Sequence, residues 1–308
     1  MLVSLVAVFG CAPQPVPRPV TLAPPRPAGH AAPSRQAAAE AVLTTTASAL
    51  RQEWYLFRAQ QQRVAQCMHS HGLRYFVASA GPEPAAGTTT VWVAGRGRNA
   101  SYDVTVAASR ATTTRPEDQY VTQLPTAQRS RYTGVLGGSP DLLATLRLPS
   151  GLAVRYQTGG CVGGARAALF GSVRAAMQDA LMPEDVDNKF YASLAGQQPY
   201  LSAVHAWQRC MAAAGWHFMT PQASIAAIQT LATAKGTSPG ELRAREAAVA
   251  GADVACDGRA HLRMRTTEAL AAFVRTLPGP VLSQLRNVYL TRQQAAAAAR
   301  RDLPRRPG

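Results

Sequence analysis

Four stretches of this 308-residue chain have residue types and spacings that could do chemistry. Cys67, His69 and His71 form Cys-x-His-x-His. Metal ligation there would use Cys67 and His71, one helical turn apart, with further ligands from elsewhere in the chain. Gly236-Thr237-Ser238-Pro239-Gly240 fits Gly-x-Ser-x-Gly, the elbow of a nucleophilic serine, which needs a strand before it and a helix after it. Asp253 and Asp257 fall one turn apart and could share a cation. The loop Gly95-Arg96-Gly97-Arg98-Asn99 is basic, with Trp92, Tyr102, Arg110 and Tyr120 around it. Aromatic faces interleaved with guanidinium groups can hold a glycan or a single strand of nucleic acid.

Each pattern also has a plainer explanation. The segment before Ser238 reads as helix, and Ser238 with Glu241 fits a capping box at a helix start. Asp253 and Asp257 have Arg259 and Arg263 close by, as on a solvated helix face. Gly159-Gly160-Cys161-Val162-Gly163-Gly164 lacks the Lys-Ser/Thr of a phosphate-binding loop, so helix packing explains it better. A small sheet with core aromatics would produce the pattern at Trp92, Arg96, Arg98, Tyr102, Arg110 and Tyr120 equally well. These six remain the candidate surface-binding residues, and no catalytic residue, metal ion or cofactor is expected.

The elements that would position these groups are organised by a repeat. Val64-Ala65-Gln66-Cys67-Met68-His69-Ser70-His71-Gly72-Leu73-Arg74-Tyr75 and Trp207-Gln208-Arg209-Cys210-Met211-Ala212-Ala213-Ala214-Gly215-Trp216-His217-Phe218 both read apolar-x-x-Cys-Met-x-x-x-Gly-apolar-x-aromatic. Apolar residues at steps of three, four or seven mark one helical face before each glycine. Gly72 and Gly215 sit where a left-handed residue ends a helix, which places Met68 against Leu73 and Met211 against Trp216. The equivalents of His69 and His71 are Ala212 and Ala214, so the repeated scaffold does not need those histidines. Each Cys-Met helix is followed by a second cysteine, Cys161 or Cys256, among small residues. Four cysteines allow three connectivities. The repetition favours Cys67–Cys161 and Cys210–Cys256.

Composition sets further bounds. Apolar content of 47% suffices for a core, and the net charge is 32 − 17 = +15, nearly all of it from Arg. Such basicity suits an anionic partner such as lipid headgroups or wall polymer, although a high-GC codon bias would also raise Arg and Ala. Residues 77–125 contain alternating runs at 88–93 and 101–106 that read as strands. Leu146 to Tyr156 is a clear hairpin across Pro149-Ser150-Gly151. A helix is expected from Cys161 to about Leu181, a turn at Met182-Pro183-Glu184-Asp185, and a further helix to Gly196. The expected fold is α+β, mostly α: two tandem helical modules, the first with a small antiparallel β insertion. The divisions are 1–11, a signal peptide with lipobox; 12–35, a Pro/Ala-rich disordered tether; 36–196, the first module, with its insertion at 77–157; 197–277, the second module; and 278–308, a helix and basic tail.

Taken together, the two Cys-Met-x-x-x-Gly motifs, the Leu-Pro-x-Gly hairpin and the Gly-Gly-Cys-Val segment resemble uncharacterised exported lipoproteins of high-GC Gram-positive bacteria. The likeness covers roughly residues 50–75 and 130–260. Val8-Phe9-Gly10-Cys11 likewise resembles a lipobox, with Val8 where Leu is usual and Phe9 where a small residue is usual. The resemblance implies lipidation at Cys11 and anchorage to the outer face of the membrane, with secretion as the alternative. Export suits disulfides. The function expected is that of a non-enzymatic cell-envelope protein binding anionic lipid or wall polymer, with no specific nucleic acid. An envelope hydrolase with a dispersed site, and a metal or thiol-redox protein, are the alternatives.

Overall fold

The computed structural model describes residues 33–44, 46–81 and 116–303 and, between them, 83, 102, 104, 105 and 108. The fold is α+β and mostly helical. The helices are α1 (Arg35–Leu43), α2 (Ala47–Ser70), α3 (Pro116–Gln123), α4 (Thr126–Gly137), α5 (Gly160–Phe170), α6 (Val173–Leu194), α7 (Gln198–Ala213), α8 (Pro221–Thr233), α9 (Pro239–Ala260), α10 (Leu262–Thr276) and α11 (Gly279–Asp302). Between α4 and α5 lies one hairpin, β1 (Leu143–Arg147) and β2 (Ala153–Gln157).

Both Cys-Met helices end as their sequence requires. Gly72 and Gly215 have φ of 70° and 84°. Leu73 N–H donates to Met68 O at 2.9 Å and Gly72 N–H to His69 O at 2.9 Å. The second copy repeats this, with Trp216 to Met211 at 2.9 Å and Gly215 to Ala212 at 3.0 Å. These paired bonds satisfy carbonyls that a helix end otherwise leaves open. Met68 and Met211 are fully buried beneath the two caps.

The sulfurs pair as the repeat favours: Cys67 with Cys161, and Cys210 with Cys256, each with Cα atoms 5.5 Å apart. The first bridge joins α2 to α5 and the second joins α7 to α9. Closing loops of 94 and 46 residues stabilises the folded chain by about 4–5 kcal/mol each in the chain-entropy model. The start of α5 also needs glycine. Gly160, with φ of 68°, lies so close to the end of α4 that a Cβ would stand 2.3 Å from Gly138 N.

Capping explains most boundaries. Thr46 accepts from Ala49 N and starts α2 afresh after α1 ends at Leu43. Ser238 and Glu241 form the expected capping box on α9. The hairpin has the register Leu146↔Val154 and Thr145↔Arg155. Its inner residues Leu146, Leu148 and Tyr156 pack with Val173 and Met177 of α6.

Several details differ from expectation. The helix from Cys161 breaks at left-handed Gly171, where Ser172 caps α6, and α6 then runs through Pro183 without a turn. A proline ring deletes one N–H donor, whereas Gly171 and Ser172 together supply both a stop and a start. Of the strand expected at 101–106, the described Val104 and Thr105 are helical, because a carboxylate holds their N–H groups. The run at 88–93 lies outside the described residues.

The largest core cluster joins Val186 and Phe190 of α6 with Trp207 and Met211 of α7, Val249 of α9 and Val274 of α10. It therefore draws on the spans 36–196 and 197–277 together. Around the first disulfide, Val64, Met68, Tyr132 and Ala165 form a smaller cluster. Ala295, Ala296 and Ala299 of α11 lie against Leu56 and Ala59 of α2.

No atom lies within 4 Å of a Cβ built at Gly72 or Gly215, so substitution there strains only the backbone. Gly72→Ala and Gly215→Ala are each expected to cost about 1–2 kcal/mol, measured by urea denaturation of the oxidised protein. A neutral result would remove the left-handed cap from its structural role.

Candidate functional site

Helix α9 turns two chemistries in opposite directions. Leu242, Glu246, Val249, Asp253, Cys256 and Asp257 are buried along one face. Arg243, Arg245 and Arg259 are exposed on the rest of its surface.

The inward carboxylates are engaged by protein donors. Asp253 is fully buried. It accepts from Trp207 Nε1–H at 2.7 Å and from the Tyr102 hydroxyl at 3.0 Å. The Tyr102 oxygen also lies 2.9 Å from Ser224 Oγ. Glu246 accepts from Val104 N–H at 3.0 Å and Thr105 N–H at 2.8 Å, and from the Thr105 hydroxyl. Asp257 accepts from Arg263 N–H at 2.8 Å and pairs with the Arg263 guanidinium at 3.2 Å. It thus caps α10 just after His261, a left-handed residue with φ of 53°. Elsewhere Asp185 accepts from Ser150 N–H at 2.9 Å and holds the hairpin turn to α6.

Burial pushes the Asp253 carboxyl up to about 6. The Trp207 and Tyr102 donors pull it down, the Asp257 charge raises it and Arg263 lowers it. Burial raises the Tyr102 phenol, and the Asp253 charge adds to that. Burial likewise brings Asp187 up to about 6, against a hydrogen bond from Tyr191.

The outward face borders an open groove between the end of α8 and the start of α9. Trp216, Leu231, Lys235, Glu241 and Arg245 line it, with a volume of about 780 Å³. The Arg245 guanidinium stacks 4.3 Å from the centre of the Trp216 ring. Glu241 bonds back to Ser238 N–H at 2.9 Å, and this backbone bond holds its carboxyl below the usual range. Further along α9, Arg259 Nη1 lies 3.7 Å from Cys210 Sγ. Two cations and an aromatic ring along one groove can hold an extended anion without reacting with it.

The residues singled out from sequence meet different fates. Trp92, Arg96, Arg98 and Arg110 lie outside the described residues, as does Cys11. Tyr102 is half-buried beside Asp253 in the main core. Tyr120 is half-buried too, 5.8 Å from the Phe76 ring and 5.9 Å from that of Tyr132. These two tyrosines belong to separate clusters, and neither ring forms an outward platform. Ser238 Oγ accepts from Glu241 N–H at 3.2 Å, and what precedes it is helix α8 and a short loop. That is a helix cap and not a nucleophile elbow. Asp253 and Asp257 are buried rather than solvated. Sequence reasoning missed Glu246 and Asp253 as buried, although 242, 246, 249, 253 and 256 follow the spacing of one apolar face. No family model, curated protein or solved structure matches the chain.

Asp253 titrates higher in the folded chain than the ~3.9 of an unfolded aspartate. The folded state therefore holds the extra proton, and this contribution to stability is lost as pH rises from about 4 to about 6. The stability difference between wild type and Asp253→Asn, from urea midpoints across pH 3.5 to 7, is expected to fall over that window. A flat or rising difference would contradict this assignment.

Proposed function

We propose that this protein is a non-enzymatic, exported envelope protein that binds an anionic surface outside the cell membrane, held there by a lipid on Cys11. One observation supports the binding reading most strongly. Asp185, Glu246, Asp253 and Asp257 are buried, whereas among the described Arg and Lys residues even Arg292, paired with Asp179, is 11% exposed. Folding thus withdraws negative charge into the interior and leaves positive charge facing solvent. The protein surface is more basic than the net charge of +15 conveys. Such a field attracts polyanions over about one Debye length and weakens with salt.

The groove at Lys235, Arg245 and Trp216 is the contact we favour, because it sets two cations and a ring against the single carboxylate of Glu241 on an open surface. Binding is favoured over hydrolysis because the buried carboxylates face protein donors rather than this groove. Two disulfides suit an oxidising, extracytoplasmic setting. Among the described residues no helix is long and apolar enough to cross a membrane.

The test is co-sedimentation of the oxidised protein with phosphatidylglycerol vesicles and with purified anionic wall polymer, beside neutral phosphatidylcholine vesicles. Retention by an anionic phase at low salt is expected, with release in about 0.5 M salt, where the Debye length shrinks to a few ångströms. Lys235→Glu with Arg245→Glu should weaken retention several-fold and leave the circular dichroism unchanged. No retention by either anionic phase at low salt would overturn the proposal.

A further inference from the structure

The two disulfides share one plan, but among the described residues only the first has a third metal-ligating side chain beside it. We propose that, once the Cys67–Cys161 bond is reduced, Cys67, Cys161 and His71 form a binding site for a thiophilic metal ion of the zinc class. This inference is independent of anion binding.

The three side chains are already neighbours before reduction. One ligand atom from each of Cys67, His71 and Cys161 lies within 4.8 Å of the others. A tetrahedral zinc site with two sulfurs and one nitrogen needs ligand atoms roughly 3.5–3.8 Å apart. The Cα atoms of the cysteines are 5.5 Å apart, a span across which rotation about the Cα–Cβ bonds can open the sulfurs to that separation. Cys67 and His71 share a helical face, being four residues apart.

The imidazole is also prepared by its surroundings. His71 Nδ1 lies 2.9 Å from Cys67 O. A carbonyl only accepts, so a neutral ring making this bond carries its proton on Nδ1 and leaves Nε2 as the nitrogen that can bind a metal. Metal-binding histidines commonly have their second nitrogen engaged in this way. Arg131 Nη2 fixes the backbone by donating to His71 O at 2.7 Å. Cys67 is half-exposed and His71 exposed, which leaves an entry path and room for a water as fourth ligand.

The second disulfide supplies the contrast. Its sulfurs occupy the equivalent places, yet the position of His71 is taken by Ala214. The group beside Cys210 is the Arg259 guanidinium, a cation that opposes a metal ion. A scaffold needs neither histidine, so His71 is an addition to the first copy alone.

The chemistry balances with an extracytoplasmic dithiol as co-reactant. The dithiol gives two electrons and two protons, the protein S–S bond breaks to two thiols, and the dithiol closes to its own disulfide. Metal binding then displaces both thiol protons to solvent, two per ion.

The test uses the Cys210→Ser/Cys256→Ser variant, reduced with a dithiol, freed of reductant without air and titrated with Co²⁺. One equivalent should bind with a thiolate-to-cobalt charge-transfer band, and the oxidised variant should show none. Adding His71→Ala should weaken binding at least about tenfold, the loss seen when even an outer partner of a metal site is removed. The reciprocal Cys67→Ser/Cys161→Ser variant, with Cys210 and Cys256 reduced, should bind no tighter than that. Circular dichroism follows the fold throughout. Absence of the band, indifference to His71→Ala, or equal binding by the second pair would each overturn the proposal, and the last two hold even where reduction loosens the fold.

Discussion

The structure depends on a single constraint used twice: a helix stopped by a left-handed glycine, with a sulfur one turn before the stop tied to a helix of small residues. The glycine lets the chain leave the helix without a Cβ clash. The methionine beside the sulfur fills the space beneath the cap. Once the sulfur is bonded, both helices are fixed at one level along their length. For α7 and α9, the Trp207–Asp253 bond lies one turn before the bridge and adds a polar contact to the covalent one. For α2 and α5, the same service comes from packing, through Val64, Met68, Tyr132 and Ala165.

That cross-linked frame decides where charge goes. Carboxylates at Asp185, Glu246, Asp253 and Asp257 can be buried because each meets N–H or O–H donors held in place by the frame. A buried ion without such donors would be prohibitively costly. Apart from Arg292, which pairs with Asp179 at 2.7 Å, the described arginines reach outward, with the stem along apolar surface and the head toward water. Arg58, Arg74, Arg245 and Arg300 each rest on an aromatic ring. The polar interior and the basic exterior are thus two results of one arrangement.

Much of this was legible in the sequence where the cause is local. Gly72 and Gly215, the capping box at Ser238 and the hairpin turn at Gly151 act over a few residues, so their types announce their geometry. Cysteine pairing was legible because the motif occurs twice. Long-range polar contacts were not. Asp253 meets Tyr102 across 151 residues and Glu246 meets Thr105 across 141. An acidic residue on an apolar face reads as exposed until its partner is seen. The break at Gly171 was hidden by Pro183, a stronger breaker in isolation, which α6 tolerates. The helix at 116–123 carries the usual start signals, Pro116 followed by Glu117 and Asp118, although it lies within the span 77–157 expected as a β insertion, beyond the alternating runs at 88–93 and 101–106.

Peptide mapping of the unreduced protein by mass spectrometry tests the duplicated frame most directly. It should recover a Cys67 peptide joined to a Cys161 peptide, and a Cys210 peptide joined to a Cys256 peptide, with no free thiol among those four. A link between the halves, such as Cys67 to Cys210, or unmodified thiols at these positions in the purified protein, would contradict it.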